Sequence, residues 1–171
     1  MQRVMIIGSN GAGKSTFSFQ LAERTGLPLS HIDQMYYCGH WQIRPNAEFE
    51  RMVREAVQKP RWIIEGNSLA SLGQRLCCAD TVLWFDFPPA LCMLNLFRRE
   101  LKYLHRVRPD MPDDCTNRLS FSFVRSAWIF TRRNRLRIRE ALRPFPSVIV
   151  IRLTNYRQVR RFLASVSAEE N

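Results

Sequence analysis

The feature that most constrains this chain is a glycine-rich stretch near the amino terminus. Residues 4–7 form a short continuous apolar run, which indicates a buried strand. Residues 8–15 follow with the spacing Gly-x4-Gly-Lys-Ser, and residues 16–24 place apolar side chains on one helix face. A strand, a glycine-rich turn and a helix in this order predict a loop that binds phosphate groups.

The residue types in this phosphate loop suit the chemistry of a polyphosphate. Glycines let backbone N–H groups approach phosphate oxygens, and the amino end of the next helix directs its partial positive charge at the same anion. Lys14 is predicted to reach the β and γ phosphates, and the Ser15 hydroxyl to bind the accompanying Mg²⁺. The predicted nucleotide-binding residues are Gly8, Ser9, Asn10, Gly11, Ala12, Gly13, Lys14, Ser15 and Thr16.

Length and composition limit the class of protein. A chain of 171 residues with 46% hydrophobic residues fits one folded domain, here predicted to span residues 1–171. No apolar run approaches the ~20 residues needed to span a bilayer, and no signal peptide is evident. We therefore expect a cytoplasmic protein.

The net charge of +11 is carried mostly by arginine, with 23 arginines and 3 lysines. The planar guanidinium binds phosphate in a bidentate manner, so the excess suits either a nucleotide or a nucleic acid as partner. A preference for arginine codons is a third explanation that composition alone leaves open.

Apolar runs and helical patterns alternate along the rest of the chain. Further strands are predicted at residues 29–32, 62–64, 81–85 and 148–153, and helices near 46–59, 69–76, 90–103, 119–142 and 156–166. Gly26 is expected to end the first helix and Asn46 to cap the second, while residues 35–41 are interpreted as an aromatic loop on the substrate side. The alternation predicts an α/β fold in three layers, a five-stranded parallel sheet with helices on both faces.

Residues 104–118 interrupt this alternation. They contain two prolines, many charged residues and little periodicity. We interpret the segment as a basic lid, and it is called the lid segment below.

Taken together, these segments resemble the adenylate-kinase-like nucleotide kinases, and more narrowly the small bacterial proteins labelled "DNA topology modulation protein" of that superfamily. The resemblance rests on residues 8–15, 31–33, 62–67, 79–86 and 108–111. It covers most of the chain and implies a P-loop NTPase fold that uses ATP and Mg²⁺. In that family Asp-Gly-Asn-Tyr stands where this chain has residues 65–68, and Pro-Glu-Arg where it has 116–118.

Three carboxylates follow predicted strands, where parallel sheets bind their ligands. By position in the related kinases, Glu65 is predicted to hold the metal together with Ser15. Asp33 is predicted to face the acceptor, either as a general base or as a metal ligand. Asp86 is a third candidate for the metal, and its favoured interpretation is a cap of the helix that follows it.

The remaining predicted site residues surround the acceptor and the transferred phosphoryl group. The catalytic residues are predicted to be Lys14, Asp33, Arg106 and Arg108, the last two from the lid segment. The residues predicted to contact the acceptor are Asp33, Trp41, Asn67, Arg75 and Arg118. Arg75 is equally well explained as a solvated surface arginine, and Trp41 by packing beneath its loop.

Two functions are compatible with these patterns. The favoured one is a Mg²⁺-dependent kinase that moves the γ-phosphate of ATP to a nucleotide or another small acceptor. The alternative is an ATP-regulated DNA-binding protein that affects DNA topology, motivated by the charge and by eight arginines between Arg118 and Arg143.

Overall fold

The structure, a computed structural model, describes residues 1–104, 106–115 and 135–166. Its strands form one parallel sheet in the order β2-β3-β1-β4-β5, which confirms the predicted fold class. The strands are β1 (Arg3–Gly8), β2 (Leu29–His31), β3 (Trp62–Glu65), β4 (Thr81–Phe85) and β5 (Ile149–Leu153).

Helices cover both faces of this sheet. They are α1 (Lys14–Thr25), α2 (Ile32–Tyr36), α3 (Asn46–Val57), α4 (Leu72–Leu76), α5 (Pro89–Lys102), α6 (residues 135–142) and α7 (Tyr156–Ser165), with a 3₁₀ turn at Gly39–Trp41. The predicted helix at 119–142 is described only from residue 135. None of the described helices has the length and apolar character needed to cross a bilayer.

The central strand β1 supplies both halves of the core. Because side chains alternate along a strand, Met5 and Ile7 face one layer of helices while Val4 and Ile6 face the other. The first layer contains α3, α4 and Ile138 of α6, and the second contains α1, α7 and Cys92 of α5. All four β1 side chains are buried, which explains the unbroken apolar run in the sequence.

The chain after β2 differs from the prediction. The strand ends at His31, and Asp33 lies in the first turn of α2 rather than at the end of a strand. The loop predicted at 35–41 is partly helical, since Ile32 and Met35 are buried three residues apart on one side of α2. Tyr36 packs edge-on against the ring of Phe49 of α3.

The two predicted helix caps have opposite outcomes. Gly26 ends α1 in a left-handed conformation with φ of 63°, and its N–H donates to Ala22 O at 2.9 Å, as predicted. Asn46 does not cap α3, because Pro45 occupies the N-cap position. The Asn46 amide instead donates to Glu50 Oε1 at 3.0 Å, one turn further along.

Gly66 provides a test of the packing at the end of β3. Its φ is +135°, and an added Cβ would lie 2.7 Å from Ile32 Cβ. We expect Gly66→Ala to destabilise the protein by about 1–3 kcal/mol, measured by urea denaturation. The matched control is Gly73→Ala in α4, where the new methyl group would meet no described residue within 4 Å apart from its chain neighbours and the backbone of its own helix. That change should leave the unfolding free energy unchanged or raise it by up to about 1 kcal/mol, and equal destabilisation of both variants would contradict the packing account.

Candidate active site

The phosphate loop leaves β1 between the carboxyl ends of β3 and β4, where open α/β sheets bind ligands. Gly8, Gly11 and Gly13 have φ of +132°, +79° and +86°, which explains why glycines occupy these positions. At Gly8 a Cβ would lie only 2.1 Å from Phe85 O. No side chain in the described part of the chain caps α1, so the N–H groups of its first turn are available to an anion.

Lys14 lies over this loop with its side chain buried. Its ammonium group donates to Ser9 O at 3.1 Å. Burial lowers the pKa of Lys14, while the nearby carboxylates of Glu65 and Asp33 act against that shift. The loop therefore holds a buried cation beside the amino end of a helix, which suits a phosphate group.

The Ser15 hydroxyl lies between two carboxylates. Ser15 Oγ is 2.9 Å from Asp110 Oδ2 and 3.3 Å from Glu65 Oε2, and Glu65 Oε2 is also 2.9 Å from His31 Nδ1. A hydroxyl has one proton, so it donates to one of the two carboxylates at a time.

Oxygen atoms of this kind fit Mg²⁺, which prefers hard ligands and keeps several waters and phosphate oxygens in its shell. The described residues contain no group of three His, Cys, Asp or Glu arranged to hold a metal. Within this part of the chain, Ser15, Glu65 and Asp110 are the oxygen ligands that lie together. The predicted pairing of Ser15 with Glu65 is compatible with this geometry and remains a prediction.

Asp33 is the most accessible carboxylate of the site. The surrounding protein and the neighbouring Glu65 carboxylate raise its pKa, while Arg108 and Lys14 oppose the shift. A carboxylate with a raised pKa that is open to an incoming molecule suits a general base.

The lid segment, described at residues 104 and 106–115, contacts the phosphate loop through Asp110. Asp110 contacts Ser15, and the carbonyl of Pro109 accepts a bond from the Gln34 amide at 3.2 Å. Arg108 is buried, with its Nε atom 3.9 Å from Asp110 Oδ1. Among the described residues that Nε has no hydrogen-bond partner, so it can donate to a bound anion.

Of the other predicted lid arginines, the structure describes Arg106. Arg106 is exposed, in contrast to Arg108. Arg118 lies outside the described residues, as do Arg125, Arg132 and Arg133. Of the predicted lid residues, the structure brings Arg108 towards the phosphate loop.

Arg75 and Asn67, two of the residues predicted to contact an acceptor, both form hydrogen bonds with nearby backbone groups. Arg75 is fully buried, so the interpretation as a solvated surface residue is wrong. Its guanidinium donates to the carbonyls of Gly66, Ser68 and Ser71, which leaves the predicted acceptor contact without support. The Asn67 amide bonds the backbone of Gly8 in the phosphate loop, and its contact with an acceptor remains a prediction.

Asp86 does not cap α5, whose N-cap is Pro88. The carboxylate is buried and forms ion pairs with Arg135 and with Arg152, the latter at 2.5 Å. Two arginines compensate one buried carboxylate, and the pairs join the end of β4 to α6 and β5. The interpretation of Asp86 as a helix cap is therefore wrong.

The aromatic residues before α3 pack on one another. The ring of Tyr37 lies 5.4 Å from that of Trp41 and 4.9 Å from that of Tyr36. The Trp41 side chain remains 37% exposed, at a backbone φ of +61°. Packing accounts for Tyr36, while Trp41 keeps an open surface for the predicted contact with an acceptor.

The sheet order, the glycine-rich loop opening α1 and the segment above it define the fold of P-loop kinases. Solved structures of kinases share it. Shikimate kinase from Acinetobacter baumannii, in complex with shikimate, matches over 97% of this chain and 90% of its own, with a TM-score of 0.56 and 16% identity. Shikimate kinase from Bacteroides thetaiotaomicron matches over 96% and 95%, with a TM-score of 0.51 and 14% identity.

A sugar kinase from Janibacter sp. is similar over 97% of this chain and 94% of its own, with a TM-score of 0.51 and 13% identity. No protein-family model matches the chain, and no curated protein matches it in sequence. The structural likeness at these identities establishes the fold and leaves the substrate to be inferred from the site.

Asp110 has no predicted role, although residues 108–111 are among those on which the family resemblance rests. The residue follows no strand, and its contact with Ser15 spans 95 positions. Its only signal was the sequence Arg-Pro-Asp, in which a carboxylate closely follows a predicted catalytic arginine.

The raised pKa of Asp33 makes a prediction about stability. In the folded state this carboxyl is harder to ionise than in the unfolded chain, so its ionisation opposes folding above the unfolded pKa of about 3.9. Asp33→Asn should therefore raise the melting temperature at pH 7. The gain should shrink as the pH falls through the raised pKa of Asp33, and it should be largely absent below about pH 4.

Asp80 offers a control of opposite sign. Burial alone would raise its pKa, but hydrogen bonds from the Thr81 hydroxyl and from the N–H groups of Gln2 and Arg3 outweigh burial and lower it. Its stabilisation is present at neutral pH and is lost as the pH falls through the lowered pKa. Asp80→Asn should therefore lower the melting temperature at pH 7. A decrease for both variants would refute the assignment of Asp33.

Proposed function

We propose that this protein is a Mg²⁺-dependent kinase that transfers the γ-phosphate of ATP to a nucleotide or another small acceptor. The observation that carries the proposal is the convergence of Lys14, Ser15, Asp33 and Arg108 at the carboxyl edge of the sheet. Lys14 and Arg108 are buried cations, Lys14 lies at the amino end of α1, and the accessible carboxylate of Asp33 lies near both cations. Phosphoryl transfer requires mainly such positioning and charge neutralisation.

The proposed roles concern the donor phosphates and the metal. The loop N–H groups and Lys14 bind the donor phosphates, and Arg108 covers them from the lid segment. Bound Mg²⁺ would neutralise phosphate charge, held by Ser15 and Glu65.

Asp33 accepts the proton of the acceptor hydroxyl. The freed oxygen then attacks the γ-phosphorus, the bond from that phosphorus to the bridging oxygen breaks, and ADP leaves with that oxygen. Asp33 returns its proton to solvent.

The structural neighbours include enzymes named for shikimate and for a sugar, so hydroxyl acceptors belong in any substrate panel beside nucleoside monophosphates. Membership in the topology-modulation group and a cytoplasmic location remain part of the proposal. The DNA-binding alternative gains no support from the described residues. Four of its eight arginines lie outside them, and Arg135 pairs with Asp86.

Lys14→Ala tests the donor side. With ATP, Mg²⁺ and the best acceptor from the panel, we expect kcat/KM to fall at least about 100-fold, because the transition-state charge loses its buried cation. The control is Lys59→Ala, an exposed lysine after α3, which should retain the activity. Transfer to no acceptor, or equal activity of the two variants, would overturn the kinase assignment.

Asp33→Asn tests the acceptor side. The amide keeps the shape of the carboxyl group but cannot accept the proton. We expect kcat with a hydroxyl acceptor to fall about 100-fold or more while the dissociation constant of ATP stays the same. An unchanged kcat would remove Asp33 from the mechanism without affecting the donor side.

A further inference from the structure

The turn after β3, residues 66–68, is held by one buried arginine. Arg75 Nη1 donates to Gly66 O at 2.9 Å, Nη2 donates to Ser68 O at 2.8 Å, and Nε donates to Ser71 O at 3.4 Å. Burial lowers the pKa of Arg75 to about 10, so the guanidinium stays charged at neutral pH. The carbonyls on both sides of Asn67 are thus fixed by a rigid fork of donors.

The side chain of Asn67 extends the hydrogen bonding between β1 and β3 beyond the last backbone pair of the two strands. The pairing of β1 with β3 runs from Arg3 opposite Trp62 to Ile6 opposite Glu65, and Gly66 N still donates to Ile6 O at 3.1 Å. Beyond that point, Gly8 needs a partner on the β3 side. The Asn67 amide accepts from Gly8 N at 3.0 Å and donates to Gly8 O at 2.5 Å, as a neighbouring strand would.

The amide also reaches further into the phosphate loop. Its second proton is donated to Asn10 Oδ1 at 3.0 Å, so both amide protons and the amide oxygen are used. Gly8 and Asn10 are the first and third residues of the loop, and Asn95 holds Gly11 O from the opposite side at 2.9 Å. A glycine-rich loop loses much conformational entropy when it is ordered. Because these side chains order the loop during folding, ligand binding does not have to supply that free energy.

We propose that Asn67 and Arg75 are positioning residues for nucleotide binding. Arg75 fixes the 66–68 turn, the turn presents the Asn67 amide, and the amide holds Gly8 and Asn10 in the conformation that receives phosphate. That the loop binds a nucleotide rests on the proposed function. The ordering of the loop by Asn67 does not, because it concerns the protein without ligand.

The experiment compares ATP affinity in four proteins by isothermal titration calorimetry with Mg²⁺. These are the wild type, Asn67→Ala, Arg75→Lys and the double variant. We expect the dissociation constant to rise about tenfold or more in Asn67→Ala, since three hydrogen bonds to the loop are lost. Arg75→Lys keeps the charge but loses the fork, and it should weaken binding through Asn67. The double variant should then bind no worse than Asn67→Ala, which is a non-additive result.

Asn46→Ala is the matched control, because the amide of Asn46 lies on the surface and contacts only Glu50 among the described residues. It should leave the affinity unchanged. A merely structural role for Asn67 would lower the melting temperature and leave the dissociation constant of the folded protein as it was, and that result overturns the proposal. If Asn67→Ala does not fold, an unchanged affinity in Arg75→Lys overturns it as well.

Hydrogen exchange without nucleotide separates this proposal from the kinase assignment. Faster exchange of the amides at residues 9–13 in Asn67→Ala than in Asn46→Ala supports the positioning role. Equal exchange overturns it. If the wild type binds no nucleotide while the exchange result holds, the kinase assignment fails and the ordering of the loop by Asn67 stands.

Discussion

The structure depends on the sharp turn that the chain makes at Gly8, at the end of the central strand. The backbone at this residue lies so close to Phe85 of β4 that only glycine fits, and Ser9 N donates to Phe85 O at 2.9 Å. The turn sends the chain out of the sheet between β3 and β4, and it brings the amino end of α1 to the edge where ligands bind. The rest of the site is built around that exit.

A second constraint is electrostatic. Lys14 and Arg108 are buried cations, and Glu65, Asp33 and Asp110 are carboxylates close to them. The surrounding protein and Glu65 raise the pKa of Asp33, and the positive charges of Arg108 and Lys14 limit the shift. A polyphosphate would add negative charge here, and the Mg²⁺ that accompanies it restores the balance.

Local patterns predicted the parts of the fold that depend on local physics. Continuous apolar runs predicted buried strands, and β1, β3 and β4 confirm this, whereas Ile149 and Val150 of β5 remain exposed, so the prediction of a buried last strand is wrong. The glycine spacing predicted the phosphate loop, because it depends only on neighbouring residues. Gly26 was predicted as a helix end for the same reason. Asn46 was a wrong prediction, since Pro45 takes the N-cap position and leaves Asn46 inside the helix.

The hydrogen-bond and ion-pair partners of the buried polar side chains could not be predicted from local sequence patterns. A buried arginine and a surface arginine look the same in a sequence, and only the return of the chain after β3 places Arg75 beneath residues 66–68. Asp86 likewise meets Arg135 and Arg152 only when α6 and β5 are packed beside β4.

The sequence alone determined the phosphate loop, the parallel sheet that carries it and the edge of the sheet where the site lies. The tertiary structure decided which side chains reach that edge. Asp110 meets Ser15 across 95 positions of the chain, and Asn67 meets Gly8 across 59. Backbone conformation and hydrophobic periodicity are set within a few residues, whereas a hydrogen bond between distant side chains exists only after the core has brought their elements together.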